Sequence, residues 1–150
     1  MICSLNTTAA DEKLTAMQAM NALNDRANYC SRNTRNNSEI IAINSPVFDA
    51  LTNQQKQHTI LLINNDLYYA CIDAVNARLA FKNALIKEGI DYKQKQYNVY
   101  LNDYLLPDAL KQFKSDYADE IKAITKSLKL PNNYGSFDTL ATINKYAPIH

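Results

Sequence analysis

Apolar residues in this chain recur at steps of three and four. Leu14, Met17, Met20, Leu23, Ala27 and Cys30 draw one such stripe, which predicts a helix from about Ala9 to Arg32. Thr8 is placed to cap it, and Asp11 and Glu12 suit its positive end. The polar run from Asn33 to Asn37 breaks the pattern, and Ser38 to Ile43 is expected to form a single turn. Ser45-Pro46 is a strong start signal, an N-cap followed by proline at the first helical position, with Val47, Phe48 and Leu51 on the apolar face. Asn53 to Gln57 then continues or kinks that helix.

The segment from about Thr59 to Lys87 is the most apolar of all. Ile60, Ile63, Leu67, Cys71, Ala74, Arg78 and Phe81 form one row, and Leu62, Tyr69, Ile72, Leu79 and Ile86 a second. A helix apolar over much of its circumference belongs at the centre, with neighbours on several sides. Gly89 stands where a left-handed stop is expected. Asp91 to Leu105 predicts a further helix with Tyr97, Tyr100, Leu101, Tyr104 and Leu105 on its face. Pro107 to about Lys129 has the cleanest period, through Leu110, Phe113, Tyr117, Ile121, Ile124 and Leu128. Pro131 to Gly135 is a turn, after which Ser136 is expected to cap a last helix carrying Phe137, Leu140 and Ile143. The resulting expectation is all-α: a compact bundle of four main helices plus short ones, its central helix at about 59–87. Residues 1–8 read as a flexible lead and 9–150 as a single helical domain.

Composition agrees with long helices. The 150 residues include only two glycines and four prolines, too few for the turns of a β-sandwich or for a glycine-rich phosphate loop. Asn occupies 18 positions, a bias that an AT-rich genome or a neutral polar surface explains. Sixteen basic residues balance fifteen acidic ones, so no global field draws the chain to nucleic acid. No apolar run reaches the length of a membrane span, and the N-terminus lacks the basic-then-apolar order of a signal peptide.

Three cysteines, Cys3, Cys30 and Cys71, leave two readings. One is three small buried hydrophobes in a reduced compartment. In the other, Cys3-Ser4-Leu5-Asn6-Thr7-Thr8 resembles the start of a mature bacterial lipoprotein. Cys3 would then be lipidated, and Cys30 and Cys71 would be bridged in an oxidising compartment. The bridge requires that Val47 to Gln57 fold as its own arm. A single helix from Pro46 to Lys87 carries Cys71 out of reach of Cys30.

Catalytic chemistry is hard to assemble from these residues. The only histidines are His58 and His150. Cys71 stands about 20 Å from His58 along a straight helix, too far for a nucleophile–base pair. None of the four glutamates has a histidine three residues on, which removes the helical carboxylate metal motif, and no spacing suits zinc. Asp66 and Asp73 share a face of the central helix, where they could hold a cation but are more simply an exposed pair or partners for Arg78 and a lysine. Arg26, Arg32 and Arg35 cluster at the end of the first helix, where cations complement the dipole. No cofactor is implied.

The richest candidate surface is aromatic: Tyr92, Tyr97, Tyr100 and Tyr104, with Lys93 and Lys95 beside them. Tyrosine is favoured at interfaces, although such rings also fill bundle cores with their hydroxyls at the rim. The expectation is a non-enzymatic interaction protein whose partner is another protein. It would act in the bacterial periplasm or as an outer-membrane lipoprotein, with Cys3 the only link to a membrane, in the manner of an adaptor, inhibitor or immunity-type binder. One alternative is a ligand-binding or enzymatic protein with a pocket around His58, Tyr69 and Asp73. Another is a cytosolic phage or mobile-element regulator.

Overall fold

A computed structural model describes residues 14–35, 40–102 and 106–149, with side chains from residue 40 onward and up to residue 31. Among the described residues there are eight helices and no strand: α1 (Ala16–Arg35), α2 (Pro46–Asp49), α3 (Asn53–Asp73), α4 (Ala77–Lys87), α5 (Lys95–Leu101), α6 (Asp108–Asp116), α7 (Ala118–Ser127) and α8 (Thr139–Tyr146). The all-α expectation holds. Cys3, Tyr104 and His150 lie outside the described residues.

Two of the starts are capping boxes. Thr15 accepts from the Gln18 N–H at 3.2 Å while Gln18 accepts from the Thr15 N–H at 2.9 Å, so α1 starts at Ala16 rather than at Ala9. The same reciprocal pair joins Thr52 and Gln55 and opens α3. Asn53 to Gln57 is therefore the first turn of the central helix and not a separate arm. Ser45 caps α2 with Pro46 behind it, as expected, and buries Phe48. Ile40 to Asn44 is not helical. It buries Ile41 and Ile43 alternately, and the Ile43 N–H donates to the Tyr146 hydroxyl at 2.9 Å.

The expected central helix at 59–87 is divided. It ends at Asp73, and Asn76 takes a left-handed conformation (φ 54°) before α4 begins. Asn tolerates that region better than other non-glycine residues. Asp73 and Arg78 clasp the two helices across the break, with Arg78 Nε donating to Asp73 Oδ1 at 2.7 Å. Asp66 pairs with Lys114 at 2.7 Å, so both aspartates have the kind of partner expected of them. The stretch from Pro107 to Lys129 is divided too, at Tyr117, between α6 and α7. Gly89 (φ 72°) follows α4 as expected.

The core has two parts with α3 running through both. The N-terminal half of α3 (Ile60, Leu62, Ile63, Leu67) packs with Phe48, Phe113, Ile121, Ile124 and Ile143 from α2, α6, α7 and α8. Its C-terminal end (Cys71, Ile72) packs with Leu23, Cys30, Phe81 and Leu85 from α1 and α4. The apolar stripe of α1 is the expected one from Met20 onward: Leu23 and Cys30 are buried and Met20 and Ala27 pack against the core, but before it Ala16 and Ala19 are buried while Leu14 and Met17 face solvent. Leu79, Ile86 and Leu140, which the helical spacing places on apolar faces, are more than half exposed, at 54%, 52% and 64%.

Candidate functional site

Cys30 and Cys71 form a disulfide, their Cα atoms 5.9 Å apart, which ties the C-terminal part of α1 to the last turn of α3. Both cysteines are fully buried. The backbone around the bridge is fastened twice more. Arg26 Nε donates to the Cys71 carbonyl at 2.9 Å, one of the carbonyls that a helix end leaves without an internal partner. Arg26 therefore serves the negative end of α3, not of its own helix as expected. The Cys30 carbonyl accepts from the Ser136 N–H at 3.2 Å. Ser136 is thus not the cap of α8. That role falls to Asp138, whose carboxylate accepts from the Ala141 N–H at 2.9 Å. Asn64 completes the attachment by accepting from the Phe137 N–H at 2.7 Å.

Beside the bridge lies a cleft of about 420 Å³. Leu23, Asn24 and Ala27 of α1 form one wall and Tyr68, Tyr69 and Ile72 of α3 another. Val99 and Tyr100 of α5 close the third side. The walls stay apart for visible reasons. The disulfide fixes the spacing of α1 and α3 at the base, and α5 is held by its packing on α4, where Tyr97 and Tyr100 meet the Phe81 ring edge-on at 6.2 and 6.3 Å. Tyr68 and Tyr69 are themselves in edge contact at 5.2 Å. The Arg78 guanidinium lies 4.6 Å over the Tyr69 ring, a cation–π contact that helps hold that ring in place.

The expected aromatic surface is sorted by this arrangement. Tyr92 is half-buried under the Lys82 ammonium, 4.6 Å from its ring. Tyr97 is half-buried against Phe81. Of the three that are described, Tyr100 lines the cleft, with 38% of its surface exposed. Lys93 and Lys95 are exposed and outside the cleft lining. The alternative pocket is not assembled. His58 lies near the start of α3 with its ring edge-on to Phe113 at 5.2 Å, and eleven residues of helix, about 16 Å, separate it from Tyr69. Asp73 is occupied by Arg78. Tyr69 instead joins Tyr100, so one residue from each expected site meets in the cleft. Tyr68 was missed altogether, and only its adjacency to Tyr69 marks it in the sequence.

Among the described residues no three His, Cys, Asp or Glu side chains gather as metal ligands, and no helix is long and apolar enough to cross a membrane. Comparison of the chain with protein-family models, with curated proteins and with solved structures finds no match in any of the three.

Proposed function

We propose that this chain is a non-enzymatic helical binding protein and that the cleft between α1, α3 and α5 takes an apolar or aromatic side chain of a protein partner. The observation that carries this is the cleft itself: three tyrosines, four aliphatic residues and Asn24 line an open space of about 420 Å³ near a buried disulfide. Tyrosine side chains around a hollow offer large contact area at low entropic cost, the composition of binding hot spots. The bridge is what supports an oxidising compartment in this reading, and together with the lipoprotein-like Cys3 lead it motivates the proposal of a bacterial envelope protein.

The test uses protein recovered from its own cell with a photoreactive residue replacing Val99. A cross-linked partner is expected with the Tyr100 chain and not with Tyr100→Ala, whose thermal midpoint should fall by only a few degrees for the lost Phe81 contact. Capture that survives Tyr100→Ala, or a midpoint that collapses, removes the cleft from binding. Alkylation of the same protein without reductant is expected to leave Cys30 and Cys71 unmodified. A second reading, a small apolar ligand, is favoured by the cleft volume, which lies in the range of small-molecule sites. It predicts a dialysable compound in place of a cross-linked chain.

A further inference from the structure

A second hollow, on the opposite part of the core from the cleft, has a different chemistry. It measures about 450 Å³ and lies between α3 and the α6–α7 pair. Ala118, Ile121 and Thr125, spaced at three and four residues along α7, form its floor. The Thr125 hydroxyl donates to the Ile121 carbonyl at 2.7 Å, which leaves its methyl group for contact. The rim is basic. Lys114, Lys122 and Lys126 stand there with a single carboxylate, Asp66. Asp66 is bound to Lys114. Among the described residues, neither Lys122 nor Lys126 has a carboxylate within ion-pair distance, and the two lie one turn apart on α7. The hollow thus presents an apolar floor, aliphatic lysine stems as walls and two uncompensated ammonium groups at the edge.

We propose that this trough binds a free single-chain amphiphile with an anionic head, of the fatty-acid type. The alkyl chain lies on Ala118, Ile121 and the Thr125 methyl, and the carboxylate sits between Lys122 and Lys126. The size is suitable: about 450 Å³ lies in the range of small-ligand sites, room for an alkyl chain of medium length. The chemistry matches as well. The floor offers no unused hydrogen-bonding group, which suits a chain that has none, and the charge at the rim is opposite to that of the head. Two lysines in place of an arginine fork neutralise a head group without demanding one fixed geometry. This site shares no residue with the tyrosine cleft, so either can fail without the other.

The experiment is an NMR titration of the full chain with decanoate below its aggregation concentration. Saturable one-to-one binding is expected, with shifts centred on Asp66 and on residues 118–126. Decanol is expected to bind at least fivefold more weakly, and the double variant Lys122→Gln/Lys126→Gln to lose about tenfold in affinity. Ala118→Leu, at an exposed position, puts a larger side chain into the trough and is expected to weaken binding severalfold without changing charge. If that variant fails to fold, the double lysine variant, which alters only the rim, carries the test. Decanol binding as tightly as decanoate, shifts centred on the tyrosine cleft, or affinity unchanged in both variants would overturn the proposal. So would binding of an acidic amphipathic peptide or of anionic vesicles at residues 118–126 where decanoate does not bind.

Discussion

Gly135 is the position where one missing side chain matters most. Its φ is 81°, and a Cβ built there stands 2.3 Å from the Cys30 carbonyl oxygen, the same oxygen that accepts from Ser136. A methyl group must displace backbone beside a buried disulfide. Gly135→Ala is expected to cost about 3 kcal/mol, the left-handed penalty plus overpacking. Gly89 gives the comparison: its φ is 72°, but nothing lies within 4 Å, so Gly89→Ala is expected to cost only about 1 kcal/mol. Urea unfolding of the two variants measures the difference, and equal losses would mean that the contact with Cys30 relaxes freely. At this scale the sequence was partly legible. Ser45-Pro46 and Gly89 announce themselves by residue type. Asn76 and Lys129, the two non-glycine residues with positive φ among those described, do not, because Asn and Lys are found in many other conformations.

Helix starts were legible in principle at the element scale, since Thr15-Ala16-Met17-Gln18 and Thr52-Asn53-Gln54-Gln55 carry the same threonine-to-glutamine spacing. The Thr52 box decides where the chain turns into the central helix, and through that whether Cys71 lands opposite Cys30. Thr52→Ala removes the acceptor for the Gln55 N–H and is expected to lower stability by about 1 kcal/mol. Thr52→Ser should retain most of that, because the hydroxyl remains. A loss of the same size in both, in thermal or urea unfolding, would assign the effect to the methyl group instead. The helix breaks were not legible. Leu110, Phe113, Tyr117, Ile121 and Ile124 keep helical spacing straight through the change of direction at Tyr117, where the backbone leaves helical values (φ −118°, ψ 29°). Two helices meeting with their apolar faces on one core preserve the period that a single helix would show. For the same reason Leu79 and Ile86 match the period of a buried row and still face solvent. Once α4 is re-aimed by Asn76, its inward face is set by Ala77, Phe81, Ala84 and Leu85.

For the whole molecule, the fold class follows from spacing and glycine scarcity, but the tyrosine cleft depends on which helices become neighbours. Tyr69 and Tyr100 are 31 positions apart and meet only because α4 returns along α1 and carries α5 with it. The disulfide is the covalent part of that arrangement. It closes a loop of 41 residues, and loop-closure entropy alone assigns it about 4 kcal/mol of stability. That is a large share of what a domain of this size possesses, about 5–15 kcal/mol. The loss should also be uneven. The bridge holds α1 to α3, and α1 packs mainly on α4, whereas the part of the core built from α2, α6 and α7 around the N-terminal half of α3 has no bridge of its own. In Cys30→Ala/Cys71→Ala, amide hydrogen exchange is therefore expected to quicken most in α1, α4 and α5, and less in α7. Uniform acceleration would mean that α3 transmits the loss along its full length and that the two parts of the core unfold as one. The uneven result would instead make the tyrosine cleft the face most dependent on the bridge, since two of its three walls, α1 and α5, belong to the part that loosens.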